Sequence, residues 1–370
     1  MTHLSFVELD REALRSNFAA LRRVAPPAAR VAAVVKGNAY GHGMAEVVRA
    51  IQDQVDAFQV DDLEELRALR RLSDKPALVL GYVPLANVGE AVALGGELAL
   101  YDLGRLEALE RVGQAVGRRP RVHLKIDALL GRQGVQPRDL DSFLEAARSF
   151  EVDVVAAYAH FANIEDTTDL THAHAQMEVF EAALAKVRSV WPAAGRHVSA
   201  TSGLMTVERG NDLVRLGIGV YGLYPSATLA RTHSELDLRP VLRWVSHLAQ
   251  VKTLPAGHPV GYGLTYFASR ELRVGIVPQG YADGFDRGLG NSGEVLVHGR
   301  RCPVIGRVAM NMFAVDLSAV PEARAEDEVV LLGEQGGERI SAEEIAARLG
   351  TINYEVVTRI LPLLPRVVRG

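Results

Sequence analysis

Short apolar runs alternate with segments of helical periodicity along the first two-thirds of the chain. Candidate strands lie at residues 31–36, 57–60, 77–82, 98–101, 122–127, 152–160, 197–201 and 213–217. Helical patterns lie between them at residues 44–52, 63–72 and 175–190, and Leu63, Leu66, Leu69 and Leu72 recur at three-residue spacing. Eight strands alternating with helices predict a TIM-like (β/α)8 barrel of the α/β class. Two separate α/β sheets are the competing arrangement, but no linker interrupts the series.

The pattern changes after about residue 236. Apolar runs at residues 241–254, 272–277, 294–298 and 329–332 are separated by glycine and proline, and helical periodicity becomes scarce. Residues 299–301 predict a hairpin turn. One helix is predicted at residues 342–349, where Ser341 and Glu344 have the spacing of a capping box. We therefore predict two domains, a barrel at residues 1–235 and a mostly β domain at residues 236–370.

Composition narrows the classes of partner. The chain has 370 residues and a formal net charge of −4, and no block of like charges indicates nucleic acid or an acidic membrane. Its single cysteine, Cys302, excludes an intrachain disulfide and a thiolate metal cluster. His172 and His174 are two apart, which on a helix separates their directions, so no metal site is predicted. Because the N-terminus lacks a secretory pattern and no apolar run reaches roughly 18–20 residues, we expect a cytoplasmic protein.

Polar side chains stand at the predicted strand ends, where barrel enzymes carry their chemistry. They are Lys36 on the first strand, Lys125 and Asp127 on the fifth, His160 on the sixth, Ser202 after the seventh and Arg215 on the eighth. A solvated strand end would also carry polar residues, and Arg215 has a surface alternative, an ion pair with Asp212. Their joint placement favours a pocket.

The segment around Lys36 reads Val34-Val35-Lys36-Gly37-Asn38-Ala39-Tyr40-Gly41-His42-Gly43. A lysine that closes an apolar run lies at the mouth of a strand, where its amine can reach a bound carbonyl. A lysine that simply faces water is the plain alternative. The segment resembles the cofactor-binding signature of the alanine racemase family, and the resemblance continues to the C-terminus. It implies that Lys36 forms a Schiff base with pyridoxal 5'-phosphate, which accepts electrons from a carbanion at Cα.

The resemblance also implies further cofactor contacts. The phosphate would be bound by Ser202, by the backbone N–H groups of Gly217 and Ile218, and by the hydroxyls of Tyr40 and Tyr354. Loops after strands seven and eight are the usual phosphate site of this barrel. Arg215 would face the pyridine nitrogen and, because a guanidinium keeps its proton, would leave that nitrogen uncharged. An uncharged ring favours return of the proton to Cα over transamination.

Racemisation requires a proton to leave one face of Cα and another to arrive on the opposite face. By the resemblance, Lys36 serves one face and Tyr262 the other. A phenol with a pKa near ~10 is a poor base at neutral pH. Positive charge would have to lower that pKa, and His160 would transmit it by linking Tyr262 to Arg215. In the family this tyrosine reaches the lysine of the partner subunit, which implies a homodimer with shared active sites.

The resemblance places a further group of residues at the substrate. Arg132 would approach the substrate carboxylate, Met310 would offer its backbone N–H, and Tyr281 would narrow the entrance, with Arg287 and Arg307 further out. Lys125 resembles a lysine that is carbamylated to hold the arginine. Two places differ from the family pattern. Asp127-Ala128-Leu129-Leu130 stands where the family usually has Asp-Thr-Gly-Met, and Asn311 stands where aspartate is common.

The function implied is a racemase that interconverts L- and D-alanine by a Lys36/Tyr262 mechanism and supplies D-alanine for peptidoglycan. Crowding by Tyr262, Tyr281 and Tyr354 favours a small side chain. Three alternatives remain: a racemase of serine or basic amino acids, a decarboxylase on the same plan, and a non-catalytic carrier of the cofactor. Arg215 and the absence of a cysteine-rich motif argue against a decarboxylase. The C-terminal domain with Tyr262 argues against a carrier.

Overall fold

The computed structural model describes residues 3–165, 167–207 and 210–370. They form two compact units, which we call the barrel unit and the β unit. The barrel unit comprises Leu14–Ala39 and Val47–Arg239. The β unit comprises the N-terminal segment through Ala13, Tyr40–Glu46 and Pro240–Gly370. Strand β1 (Phe6–Asp10) opens the chain and belongs to the β unit.

Eight parallel strands form the barrel unit. They are β2 (Arg30–Val34), β3 (Ala57–Val60), β4 (Ala77–Val79), β5 (Gly96–Leu100), β6 (Arg121–Lys125), β7 (Asp153–Tyr158), β8 (Gly195–His197) and β9 (Leu213–Leu216). Their order in the sheet is β8-β7-β6-β5-β4-β3-β2-β9. The ends of the sheet meet where the Asp212 N–H donates to the Arg196 carbonyl and the Arg215 N–H donates to the Ser199 carbonyl. The predicted barrel is confirmed as a nearly closed one.

One helix precedes the first barrel strand, and one helix follows each of the eight barrel strands in sequence. They are α1 (Arg11–Val24), α2 (Met44–Ile51), α3 (Leu63–Arg70), α4 (Val88–Ala93), α5 (Leu103–Val116), α6 (Leu140–Ala147), α7 (Thr171–Val190), α8 (Thr201–Thr206) and α9 (Ala227–Thr232). Helix α3 buries Leu63, Leu66 and Leu69, as the three-residue spacing predicts, and begins at an Asp62 cap. It ends at Arg70, so Leu72 lies beyond it. Among the residues described, no helix has the length and apolar character needed to span a membrane.

The β unit contains one ten-stranded sheet. After β1 its strands are β10 (Leu242–His247), β11 (Gln250–Leu254), β12 (Leu272–Val277), β13 (Glu294–Val297), β14 (Arg300–Ile305), β15 (Phe313–Asp316), β16 (Glu328–Gln335), β17 (Glu338–Ile340) and β18 (Arg366–Arg369). The sheet order is β11-β12-β15-β14-β13-β16-β10-β1-β18, with β17 paired to β16. Helices α10 (Ala342–Leu349) and α11 (Asn353–Thr358) complete the unit. A mostly β C-terminal part is thereby confirmed.

Two local predictions in the β unit have clear outcomes. Helix α10 has the predicted bounds, and the Ser341 hydroxyl accepts a hydrogen bond from the Glu344 N–H at 3.1 Å. The hairpin is present, but its turn residues are His298 and Gly299, since Val297 already pairs with Arg300. Both turn residues have positive φ, 50° and 72°, as a two-residue turn between twisted strands requires. Arg300 and Arg301 therefore belong to β14 and not to the turn.

Candidate active site

Lys36 lies just beyond the end of β2, at the start of an unusual turn. Gly37, Asn38, Ala39 and Tyr40 all have φ between 52° and 62°, so the chain makes a left-handed helical turn. Left-handed backbone is costly for residues other than glycine, and consecutive residues rarely adopt it. The Ala39 N–H donates to the Val35 carbonyl at 2.8 Å, which closes the turn. Backbone strain at this one place indicates a functional constraint on Lys36.

An acidic pair holds this turn against the end of the next strand. One Glu65 carboxylate oxygen accepts from the Gly37 N–H at 2.6 Å, and the other accepts from the Asp61 N–H at 2.8 Å. The Lys36 amine donates to the Asp61 carboxylate at 3.1 Å. The Lys36 side chain keeps 41 % of its surface exposed, so its amine remains accessible to a ligand.

Arg215 is buried inside the barrel and has no described carboxylate within ion-pair distance. Its guanidinium donates to the carbonyls of Ala159, His197 and Val198 at 2.9–3.1 Å and to the Nδ1 atoms of His160 and His197. Burial lowers the pKa of Arg215 to about 10, so it stays charged at neutral pH. The alternative pairing with Asp212 is excluded, because Asp212 accepts from the Arg196 N–H and faces Arg188.

Two further charged or polar groups approach Arg215 from the strand ends. His160 lies 3.4 Å from an Arg215 nitrogen, and burial together with the Arg215 charge lowers its pKa to about 3. His160 is therefore neutral, and since arginine only donates, its Nδ1 is the acceptor and its Nε2 carries the proton. The Lys125 amine lies 4.9 Å from the centre of the Tyr158 ring. Burial and the charges of Arg132, Arg215 and Lys36 lower the Lys125 pKa to about 7.

Backbone N–H groups without acceptors cluster beside Ser202. The Gly217 N–H donates to the Thr201 hydroxyl at 3.1 Å, which joins the start of α8 to the turn after β9. In the described part of the chain, no acceptor contacts the N–H groups of Ser202, Gly203, Ile218 and Gly219, all of them buried residues. Buried N–H groups are rarely left without a partner. The Ser202 hydroxyl donates to the Glu165 carboxylate at 3.1 Å, so an anionic group lies next to Ser202.

Tyr40 and Tyr354 come together in the β unit. Their ring centres are 6.0 Å apart, and the Arg366 guanidinium donates to the Gly41 carbonyl at 2.7 Å. A Cβ at Gly41 would stand 1.9 Å from the Val357 carbonyl oxygen, so only glycine allows this close approach to α11. The two tyrosines implied for one phosphate are thus neighbours.

Three C-terminal motifs converge in the β unit. The Tyr281 and Ala282 N–H groups donate to the carbonyls of Ala309 and Met310 at 3.0–3.1 Å. The Gly261 Cα lies against the Arg307 backbone, where an added Cβ would be 3.4 Å from the Arg307 nitrogen. Val260 belongs to a buried cluster with Leu272 and Ile305 that anchors the loop bearing Tyr262. Tyr262, Tyr281 and Met310 are themselves exposed.

The structure assigns the expected residues to two groups. Lys36, Lys125, Arg132, His160, Ser202, Arg215, Gly217 and Ile218 belong to the barrel unit, at or beyond the carboxyl ends of its strands. Tyr40, Tyr262, Tyr281, Met310 and Tyr354 belong to the β unit. The Ala128–Leu130 loop is held by α7, since Gln176 donates to the Ala128 carbonyl at 2.6 Å and His172 contacts the Leu129 carbonyl at 3.1 Å.

Sequence reasoning missed several polar groups inside the barrel. Asp61 and Glu65 fix the lysine turn. Four further polar residues lie buried in the barrel: Glu97, His123, Tyr158 and His197. Of these, His197 and Tyr158 contact Arg215. A period of two along each strand was the available signal, because alternate residues share a face. His123 precedes Lys125 by two, and Tyr158 precedes His160 by two.

Fold and site together define a barrel enzyme that presents a lysine amine, a buried arginine and an anion-binding turn. Family models for the alanine racemase N-terminal and C-terminal domains match residues 9–225 and 241–368. An alanine racemase of Symbiobacterium thermophilum is 40 % identical, over 99 % of this chain and 97 % of that protein. The chain therefore belongs to the alanine racemase family, whose members are pyridoxal-phosphate-dependent isomerases.

Solved structures agree with this assignment. The crystal structure of alanine racemase from D-cycloserine-producing Streptomyces lavendulae is 35 % identical, with a TM-score of 0.93 over 100 % of this chain and 98 % of that one. Alanine racemase from Bacillus anthracis with bound L-Ala-P is 30 % identical, with a TM-score of 0.92 over 100 % of this chain and 96 % of that one.

The residues present fit pyridoxal phosphate. Lys36 offers an accessible amine for the aldehyde. The N–H groups of residues 202, 203, 218 and 219, for which the described residues supply no acceptor, would suit a phosphate. A Cβ at Gly219 would lie 2.7 Å from the Thr201 methyl group and 3.0 Å from Leu21, so this turn approaches its neighbours as only glycine can. Arg215, held in place by carbonyl acceptors, is a donor of the kind that a pyridine nitrogen would accept from.

Proposed function

We propose that this protein interconverts L- and D-alanine, using Lys36 and Tyr262 as the two acid/base groups. The observation that carries the proposal is the buried Arg215, held by neutral acceptors in the barrel that also carries Lys36. A carboxylate there would accept a hydrogen bond from a protonated ring nitrogen, stabilise that protonated form and strengthen the ring as an electron acceptor. A guanidinium keeps the ring nitrogen uncharged and favours reprotonation at Cα.

The cofactor, when bound, supplies an electron-accepting ring that stabilises the negative charge left on Cα. Lys36 holds the cofactor and becomes a free amine when the substrate amine takes its place. The free Lys36 amine then accepts or returns the Cα proton on one face. Asp61, 3.1 Å from the Lys36 amine, offers a place for the lysine in its charged state.

Tyr262 exchanges the proton on the opposite face. The neutral His160, with its proton on Nε2, is oriented by Arg215 to donate to a phenolate oxygen. Such a hydrogen bond favours the ionised tyrosine and lowers the cost of using a phenol as a base. His160 thus connects the fixed charge of Arg215 to the phenol, and Tyr262 acts without a charged histidine.

The substrate carboxylate is bound by Arg132 and the Met310 N–H, with Tyr281 at the entrance. Lys125, whose pKa burial and nearby cations lower to about 7, is neutral for much of the time near physiological pH. A neutral amine adds carbon dioxide and releases a proton to solvent. The resulting carbamate would replace a repelling cation beside Arg132 with an attracting anion. This supports carbamylation of Lys125 as the device that positions Arg132.

We propose that the active site is completed by a second copy of the chain. Tyr262 exposes 74 % of its surface. Other large apolar side chains of the β unit are also exposed: Leu264, Phe267, Met310, Met312 and Ile352. Exposed apolar side chains in such number are typical of a surface that another protein covers. A homodimer in which Tyr262 serves the partner's Lys36 fits this exposure.

The proposed role is supply of D-alanine for peptidoglycan in the cytoplasm. A single free and buried Cys302 is compatible with that reducing compartment. The side-chain specificity is tested by steady-state rates with alanine, serine and lysine under identical conditions. We expect the highest kcat/KM for alanine. A higher kcat/KM for serine or lysine would identify that amino acid as the substrate instead of alanine. Release of carbon dioxide would identify the reaction as decarboxylation instead of racemisation.

A further inference from the structure

A chain of four polar side chains crosses the interior of the barrel. Glu97 on β5, His123 on β6, His197 on β8 and Arg215 on β9 are each more than nine-tenths buried. A Glu97 oxygen lies 2.9 Å from His123 Nε2, and His123 Nδ1 lies 2.8 Å from His197 Nε2. His197 Nδ1 accepts from the Arg215 guanidinium. Four residues from four strands are therefore joined by three consecutive hydrogen bonds.

The two ends of this chain determine where its protons lie. An ionised carboxylate only accepts hydrogen bonds, and a guanidinium only donates them. Glu97 therefore requires a proton on His123 Nε2, which leaves His123 Nδ1 as an acceptor when the ring is neutral. His197 must then donate from Nε2, and its Nδ1 is left free to accept from Arg215. Both rings carry their single proton on Nε2, and every hydrogen bond points from Arg215 towards Glu97.

The surroundings favour neutral rings between two charges. Burial lowers the pKa values of His123 and His197, so neither ring takes up the second proton that would make it a cation near neutral pH. Glu97 also accepts from the Arg121 Nε at 2.9 Å, and Asp153 on β7 faces the same arginine at 3.7 Å. Burial alone would raise the pKa of Glu97, but the hydrogen bonds from His123 and Arg121 and the Arg121 charge outweigh it, so the pKa is lowered and the carboxyl stays ionised.

The other side chains that approach these four hydrogen-bonded residues come from β6 and β7. The Tyr158 ring stacks on His197 with centres 4.8 Å apart, and the Lys125 amine approaches the same Tyr158 ring. Neither group hydrogen-bonds to the two histidines. The charge of Arg215 is therefore balanced through the histidines by Glu97, a carboxylate at the start of β5, and not by an anion in contact with it.

We propose that Glu97 and His123 are positioning residues that order the protons of the histidine pair and so fix Arg215 as a charged donor aimed at the cofactor's ring nitrogen. The proposal rests on the proposed function for the role of Arg215. If the order were reversed, His197 Nδ1–H would oppose an Arg215 N–H, and the guanidinium would have to turn. A turned guanidinium would leave the ring nitrogen open to protonation, which would increase transamination.

The proton order is measured directly by long-range 1H–15N NMR on the cofactor-loaded protein with labelled histidine. Signals are assigned with single His123 and His197 variants. We expect both rings to show the Nε2–H form, with no titration across the range in which an ordinary imidazole titrates. An Nδ1–H form or a protonated ring at either residue would overturn the proposal. This readout is independent of whether the protein racemises alanine.

The functional consequence is tested with Glu97→Gln, matched by Asp153→Asn. Glutamine removes the charge, and its amide can present donors to His123, which permits the reversed order. We expect Glu97→Gln to lower kcat about 10-fold with KM for alanine nearly unchanged, because Arg215 acts on the reacting state and not on alanine binding. Conversion of the bound cofactor to its amine form, per racemisation event, should rise by a similar factor.

The control defines what would contradict the proposal. Asp153→Asn alters the other carboxylate beside Arg121. It should change neither the ratio of cofactor conversion to racemisation nor the NMR signals of the two histidines. Equal effects of the two variants would assign Glu97 a purely structural role and overturn the proposal. If Glu97→Gln does not fold, the NMR result on the unmodified protein decides the question. An inactive unmodified protein with the expected NMR order would reject the proposed function and leave the hydrogen-bond order standing.

Discussion

At the scale of single residues, Lys125 shows how burial changes an amine. Its side chain lies among Arg132, Arg215 and Lys36, and burial is the largest cause of its lowered pKa of about 7. Above that pH the amine carries a lone pair, and below it the ammonium has none. An ordinary lysine reaches the same state only near pH ~10.4. Among the lysine side chains, we therefore expect Lys125 to react with carbon dioxide most readily near neutral pH.

We predict a carbamate on Lys125 whose amount rises as the pH passes upward through about 7. The measurement is 13C NMR of the protein in 13C-labelled bicarbonate. Lys125→Met should abolish the signal, while Lys186→Met, which removes a surface lysine paired with Asp141, should leave it intact. Persistence of the signal in Lys125→Met would assign the carbamate to another amine.

Tyr262 is the second residue on which the account depends. We predict that Tyr262→Phe retains the cofactor and lowers the racemisation rate by about 10²–10⁴-fold, since one proton donor is lost. Tyr266→Phe is the matched control, because Tyr266 packs against the buried cluster around Val260 and has no assigned chemical role. A rate near that of the unmodified protein in Tyr262→Phe would exclude the two-base scheme.

At the scale of elements, the turn after β9 carries the proposed phosphate site. Gly219 has no room for a side chain, since a Cβ would lie 2.7 Å from the Thr201 methyl group. Gly104 in α5 is a suitable control, because its nearest neighbour would be 3.5 Å away. We predict that Gly219→Ala raises the dissociation constant of pyridoxal phosphate at least about 10-fold, from overpacking, and that Gly104→Ala does not.

Fluorescence titration of the apoprotein with pyridoxal phosphate measures both constants. Melting curves of the two variants identify any general loss of folding. An unchanged affinity of Gly219→Ala for pyridoxal phosphate would show that the phosphate does not bind at this turn.

Hydrophobic periodicity predicts most of the elements and the strand-end residues, but not what depends on the tertiary structure. Seven of the eight barrel strands follow from apolar runs, whereas β8 shares only His197 with the run predicted at residues 197–201; α10 follows from its capping residues. The left-handed turn at residues 37–40 was not predictable, because Ala39 and Tyr40 have no local preference for positive φ and Asn38 adopts it elsewhere only as a single residue. The histidine pair was missed because its members come from β6 and β8, which flank β7 in the sheet, and only the folded barrel brings the two side chains together.

At the scale of the whole molecule, the division of site residues between the two units leads to a test of shared active sites. Lys36→Ala and Tyr262→Phe should each be inactive alone. In a dimer with shared sites, a mixed dimer of the two variants contains one site with both changes and one intact site. Random association would then restore about a quarter of the normal activity.

Coexpression of the two variants with different affinity tags allows the mixed dimer to be isolated and assayed. Restored activity is the expected result. A mixed dimer as inactive as its parents would show that Lys36 and Tyr262 act from the same chain, and a monomeric active protein would exclude the shared site altogether.

The most direct test of the central claim is a time course with the purified protein loaded with pyridoxal phosphate. L-alanine and D-alanine are supplied in separate reactions, and the products are resolved by chiral chromatography. We expect both reactions to converge on the same equal mixture of L- and D-alanine. Unchanged alanine in both, or its loss to a keto acid without the opposite enantiomer, would contradict racemisation by Lys36 and Tyr262.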